Sequence, residues 1–179
     1  MIPHGPWKIK STESVYRDQF IAVRLDQVVR PDQRDGQHVV VEIKPGVCVL
    51  AIDDQRRVHL TKEFHYAVGR DSLEAVSGGI EPGEDPDITA VRELQEEIGL
   101  VANEWNHIGT VDPFTTIMKS PTRIYVARDL TEVSTSPEGT ELIEKVVMPM
   151  DDAVQAVVAG EITHAPTCVA LLQANWMGF

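Results

Sequence analysis

Three glutamates, Glu93, Glu96 and Glu97, crowd one short stretch of the chain beside Arg92. The stretch reads as a helix from Asp85 to Gly99. Asp85 is a good N-cap, Pro86 suits the first turn, and Gly99 stands where a left-handed C-terminal cap belongs. At about 100° per residue the three carboxylates fall within an arc of about 100°, with Val91, Leu94 and Ile98 opposite them as the expected core face. Glu93 and Glu97 form an i,i+4 like-charge pair, which costs about 0.2–0.5 kcal/mol in an isolated helix. A hard divalent cation such as Mg²⁺ or Mn²⁺ reverses that sign, because it prefers carboxylate oxygens. For three glutamates alone, a solvated acidic helix face is the plain alternative.

The neighbouring residues are compatible with the cation, and the pattern they form decides between the two readings. Gly78 and Gly79 let the backbone come close to a bound phosphate or metal just before the helix. Glu84, Asp85 and Asp87 sit near the helix N-terminus, where negative charge is favoured. Arg92 can orient neighbouring carboxylates through charge-assisted hydrogen bonds. From Gly78 to Leu100 the chain reads GGIEPGEDPDITAVRELQEEIGL: Gly78, then Glu84 after five residues, then Arg92-Glu93-Leu94 after seven more. Glu96-Glu97, Gly99 and Leu100 complete the pattern. This segment resembles the signature box of the Nudix hydrolase family at every fixed position. At average residue frequencies, chance agreement in a chain this long is on the order of 10⁻⁷. Looser likeness in the N-terminal strands, from Ala67 to Glu84 and from Gly160 to Leu172, is similar to the ADP-ribose pyrophosphatase branch.

The resemblance implies an α+β fold, a Nudix-type α/β/α sandwich with a mixed β-sheet. It implies Glu93 and Glu97 as main metal ligands, Glu96 as a ligand directly or through water, and the Ser77 carbonyl as a further one. Arg92 belongs to the same catalytic set, and Glu84 and Gly99 are structural positions of the box. The implied cofactor is Mg²⁺ (or Mn²⁺). The implied substrate is a nucleoside diphosphate derivative, ADP-ribose or a nucleotide sugar, cut by cation-activated water into two monophosphates. Gly78 and Gly79 are expected against the substrate phosphates. Glu74 matches a position near the substrate, though a strand acid facing solvent reads equally well. His65 lies where the branch often carries a substrate-contacting arginine, and a structural histidine at a strand end is its other reading. The branch also uses a loop glutamate to activate water, but the stretch from Asp112 to Ser120 has none. The substitutes are Glu96, fixed on the helix, or a mobile acid among Glu138, Glu141 and Glu144; we expect Glu96. A homodimer through the N-terminal strands is implied as well. Other Nudix chemistry, on dinucleoside polyphosphates, coenzyme A or nucleoside triphosphates, is the alternative within enzymes. A catalytically silent nucleotide-binding domain is the alternative outside them.

These residues need a scaffold, and 179 residues supply one domain's worth of chain. We expect a single domain over residues 1–179, with residues 1–44 as N-terminal strands and a dimerisation segment. The net charge of −12 repels phosphate backbones and anionic lipid, so no nucleic-acid or membrane partner is expected. With no signal-like N-terminus and no 18-residue apolar run, we expect a cytoplasmic protein with Cys48 and Cys168 reduced. Strands are expected at Phe20–Arg30, His38–Ile43, Val47–Ile52, Val58–Phe64 and Ser72–Ser77, the first two separated by the stretch Pro31 to Gly36, which ends in the hairpin-type signal Asp35-Gly36. Further strands are expected near Trp105–Val111, Arg123–Ala127 and Lys145–Met148. Asp151 is expected to cap a second helix that Gly160 ends. A third helix runs from about Pro166 to Asn175, with His164 and Thr167 as caps. Trp105, Trp176 and Phe179 are read as packing residues.

Overall fold

The computed structural model describes residues 1–135 and 142–179. In chain order its strands are β1 (Ile2–His4), β2 (Trp7–Arg17), β3 (Ile21–Val29), β4 (Asp35–Ile43), β5 (Gly46–Ile52), β6 (Arg57–His65), β7 (Arg70–Glu74) and β8 (Val76–Gly79). The helix α1 (Pro86–Ile98) follows, then β9 (Leu100–Val111), β10 (Met118–Lys119), β11 (Thr122–Glu132) and β12 (Glu144–Pro149). Two helices close the chain, α2 (Met150–Ala159) and α3 (Ala165–Met177). The described residues form two compact units, residues 1–45 with 112–121 and residues 46–111 with 122–179.

The first unit is a sheet in the order β1-β2-β3-β4-β10, antiparallel except for β10 on β4. Its β3–β4 hairpin does not turn at Asp35-Gly36. Those residues are already in the ladder, opposite Val29 and Val28. The chain reverses over Pro31–Arg34, where Gln33 takes φ 66° and the Arg30 N–H donates to the Arg34 carbonyl at 2.8 Å. Gly36 is needed for another reason. A Cβ there would come within 3.1 Å of Arg30 Cδ, so the missing side chain makes room for the arginine stem.

In the second unit the sheet runs β12-β6-β5-β11-β9, with β7 added to β6 and β8 to β5. β5 and β11 pair in parallel and the other ladders are antiparallel, so the sheet is mixed. The apolar run of β5 is buried on both faces, as a central strand must be. Val47, Val49 and Ala51 pack with Leu94 and Ile98 of α1; Cys48, Leu50 and Ile52 pack with Ala153, Ala170 and Leu171 of α2 and α3. Helices on both faces make the expected α/β/α sandwich. Both cysteines are free thiols. Among the described residues, no helix is long and apolar enough to cross a membrane.

Three expectations change here. The strand expected at Ser72–Ser77 is two strands, because the chain leaves β6 after Glu74 and joins β5 at Val76. Between them the Ala75 N–H donates to Thr167 Oγ1 at 2.9 Å, a side-chain bond in place of a ladder bond. Asp151 does not cap α2, which begins one residue earlier; its carboxylate accepts from Arg56 Nη1 at 2.9 Å. Trp176 is 90% exposed, because Ala170, Leu171 and Ala174 carry the inner face of α3. Phe179 does pack against the core.

Candidate active site

Local chemistry builds α1 as the sequence leads one to expect. The Asp85 side chain accepts from the Asp87 N–H at 2.8 Å, and Gly99 closes the helix at φ 62°. A Cβ on Gly99 would meet the Val133 carbonyl at 2.6 Å, so space as well as conformation requires glycine. The first turn is pinned from below by buried Tyr125, whose hydroxyl donates to Asp87 Oδ1 at 2.6 Å. Burial first, and then that bond, pushes the tyrosine up to about 12.

The helix does not divide into a core face and an opposed acidic face. Its buried residues are Thr89, Ala90, Leu94 and Ile98, whereas Val91 is 42% exposed. The inward face is therefore turned toward the carboxylates, and the Glu93 side chain is only 13% exposed. Gly78 explains how a glutamate fits there. A Cβ on Gly78 would overlap Glu93 Cδ and Oε1. In this structure the space over the glycine is filled by the carboxylate of Glu93, an expected metal ligand, where the sequence suggested an approaching phosphate or metal.

Arg92 ties the acidic groups together. Its Nε and Nη2 donate to Glu84 Oε1 and Oε2 at 3.0 and 3.1 Å, a bidentate pair. Its Nη1 donates to Glu93 Oε1 at 2.8 Å and to Glu96 Oε2 at 3.0 Å, and Nη2 reaches the Gly79 carbonyl at 3.4 Å. The Arg92 guanidinium holds the Glu84 carboxyl at about 2, with help from the Glu81 N–H. The hydrogen bonds that Arg92 donates to Glu84 are the first cause that raises the arginine's own pKa.

A second cluster lies along the break between β7 and β8. His65 Nε2 is 3.1 Å from Glu74 Oε1, and His164 Nδ1 is 3.1 Å from Glu74 Oε2. At 14% exposure, Glu74 is no solvent-facing strand acid. His164 occupies the N-cap position of α3 but makes no side-chain cap bond; its Nδ1 instead lies 2.9 Å from Thr167 Oγ1 as well. Burial pushes the His164 pKa down, against the pull of the Glu74 charge. Cys48, directly opposite Ser77 in the ladder, is pushed up to about 12, by burial first and then by the charges of Glu74 and Glu97. Glu74, Glu97, Ser77 and Thr167 thus all act on one buried sulfur.

The structure accordingly brings Glu84, Arg92, Glu93, Glu96 and Gly79 into one network. Glu74, His65 and His164 form a second, which Thr167 links to Ala75 beside Ser77. Sequence reasoning missed His164 and Thr167 as site residues, and no local signal could have found them. His164 lies 90 positions from Glu74, and only the packing of α3 on the sheet joins them. Glu144 opens β12, 3.7 Å from Lys62. Glu138 and Glu141 lie outside the described residues.

Among the described residues, no three His, Cys, Asp or Glu side chains converge as a metal site requires. Here Glu93 and Glu96 both face Arg92 Nη1. The donors available, three glutamates and a main-chain carbonyl, are all oxygen, which fits a hard divalent cation.

The NUDIX domain profile matches residues 42–167, and the profile of the nucleoside diphosphate sugar hydrolase N-terminal domain matches residues 7–41. An ADP-ribose pyrophosphatase of Mycobacterium tuberculosis is 30% identical over 169 residues, 92% of this chain and 81% of that protein. An ADP-ribose pyrophosphatase of Bacillus subtilis is 25% identical, over 92% of this chain and 90% of its own. The fold is similar to the crystal structure of an ADP compounds hydrolase, with a TM-score of 0.82 and 23% identity over 96% of this chain and 93% of that one. The chain belongs to the Nudix family, as a pyrophosphohydrolase of its ADP-ribose pyrophosphatase-like branch.

Proposed function

We propose that this pyrophosphohydrolase cleaves the diphosphate of ADP-ribose or a nucleotide sugar with the help of Mg²⁺ (or Mn²⁺). One observation carries the reading: the carboxylate of Glu93 is largely buried over Gly78 and braced by Arg92. Burying a carboxylate costs stability unless it is paired and hydrogen-bonded, and Arg92 Nη1 supplies that partner at 2.8 Å. Two relatives named ADP-ribose pyrophosphatase support the choice of substrate.

Glu93 and Glu97, with Glu96 and the Ser77 carbonyl, would hold the cation. When bound, it supplies charge that neutralises the diphosphate and makes water more acidic. Arg92 keeps Glu93 and Glu96 oriented, and Glu84 keeps Arg92 in place. Glu96 acts as the base, taking a proton from the attacking water. As the new P–O bond forms, the bond from that phosphorus to the bridging oxygen breaks. The bridging oxygen leaves with the other phosphate, so two monophosphates result. Gly78 and Gly79 border the phosphates, and Glu74 and His65 border the rest of the substrate. The working unit is a homodimer that uses residues 1–44; β2, exposed along most of its length, supports this.

The test is a panel of ADP-ribose, nucleotide sugars, dinucleoside polyphosphates, coenzyme A and nucleoside triphosphates with Mg²⁺. AMP and a sugar phosphate as products, with ADP-ribose or a nucleotide sugar turned over fastest, uphold the reading. Preference for another member of the panel replaces the substrate. Binding without turnover makes the chain a silent nucleotide binder.

A further inference from the structure

We propose that Ser77 and Thr167 are positioning residues whose hydroxyls lock the Ala75 peptide groups and so fix the Ser77 carbonyl for the cation. The inference rests on the reading that this carbonyl is one of the cation's ligands. The β7 ladder ends at Glu74, opposite Thr61, and the β8 ladder begins at Val76, opposite Val49. Ala75 belongs to neither ladder, yet it is fully buried. A buried N–H or C=O is costly to leave without a partner. Two side-chain hydroxyls supply the partners here. The Ala75 N–H donates to Thr167 Oγ1 at 2.9 Å, and the Ala75 carbonyl accepts from Ser77 Oγ at 2.8 Å.

The two bonds differ in reach. Thr167 is fully buried in the first turn of α3, so its hydroxyl ties the break to a helix rather than to another strand. That hydroxyl is itself held, since Oγ1 also bonds to His164 Nδ1 at 2.9 Å, as acceptor or donor according to the tautomer. The Ser77 bond is local and spans only Val76. From its other side Ser77 is held by the ladder pairing with Cys48. The backbone that carries the Ser77 carbonyl therefore has little freedom to turn. The next residue cannot brace it, because Gly78 has no side chain and Glu93 fills the space above it. A cation site needs its donors held to about 0.5 Å by groups whose own positions are locked. Such outer partners change metal affinity without touching the metal.

The test is Mn²⁺ binding to the full chain without substrate, read from the electron paramagnetic resonance signal of the free ion. The proteins are the wild type, Ser77→Ala, Thr167→Val, Thr167→Ser, Thr61→Val and Glu97→Gln, each checked for its fold by circular dichroism. We expect Ser77→Ala and Thr167→Val each to weaken binding about 10-fold, the scale of losing an outer partner of a metal ligand. Thr167→Ser keeps the hydroxyl and should bind as the wild type does. Thr61→Val is the structural control. The Thr61 hydroxyl donates to the Glu74 carbonyl at 3.2 Å, on the β7 side of the break. Its loss loosens the same region without releasing Ala75, so the affinity should not change.

Ser77→Ala and Thr167→Val proteins that bind Mn²⁺ as tightly as the wild type would overturn the proposal. So would a Thr61→Val that loses as much affinity as they do, or a Thr167→Ser no better than the valine variant. General loosening of the break would then explain the loss. If Thr167→Val does not fold, Ser77→Ala and Thr61→Val decide the matter on their own. A wild type that binds no Mn²⁺, or a Glu97→Gln that binds it equally well, instead overturns the cation reading, and the positioning role falls with it.

Discussion

Gly78 and Arg92 matter at the site for what they do to their neighbours. Gly78→Ala puts a methyl group where Glu93 now sits, so the carboxylate must leave its buried position. We expect kcat to fall about 10²–10³-fold, the scale of losing one preorganised electrostatic group, with the far-ultraviolet circular dichroism unchanged. Glu84 makes a prediction about pH. Its folded pKa of about 2 lies below the ordinary 4.5, so its stabilisation is complete above about pH 4.5 and is lost as pH falls toward about 2. Urea unfolding across the acid range should show a shallower loss of stability in Glu84→Gln than in the wild type. Equal slopes would mean that the Arg92 pair does not hold in solution.

Among the elements, the break between β7 and β8 depends on one hydroxyl from α3. Thr167→Val keeps the shape and leaves the buried Ala75 N–H without its acceptor, at a cost of about 1–3 kcal/mol. Thermal unfolding should show a midpoint lowered by several degrees, about 2–4 °C for each kcal/mol in a chain of this size. How legible each element is follows from where its determinants lie. α1 carries its cap, its proline and its terminal glycine within its own sequence, so it could be read almost residue by residue. Its orientation could not, because Thr89 and Ala90 bury as fully as Leu94 and so pull the inward face away from Val91. The β7–β8 break was invisible, since Ser72–Ser77 alternates like one strand and the change of partner is decided by Thr167, far along the chain. The β3–β4 turn was legible as the stretch Pro31 to Gly36, but Asp35-Gly36 carries the hairpin signal while Pro31 and the left-handed Gln33 make the reversal. Of the candidate site, the box was legible because its residues lie within one helix and the turn before it. The His65–Glu74–His164 cluster was not, because three separate elements supply it.

On the scale of the whole molecule, the sheet that holds the site is covered by helices on both faces, and β2 of the other unit is not covered. Val15 and Tyr16 are exposed along β2. A long exposed strand with apolar side chains is a surface that proteins seldom leave open. Light scattering on the full chain should give twice the chain mass at micromolar concentration; a monomer would remove the homodimer from the account. The net charge of −12 bears on catalysis at this scale too. An acidic protein attracts a diphosphate through a cation, so activity without divalent metal should be negligible. The central claim is that the glutamates of α1 drive diphosphate hydrolysis, and ³¹P NMR of ADP-ribose with Mg²⁺ tests it most directly. Wild-type enzyme should convert the diphosphate signals into two phosphomonoester signals, and Glu97→Gln should do so at least about 100-fold more slowly. Equal rates for the two proteins, or diphosphate signals that persist with the wild type, would contradict the account.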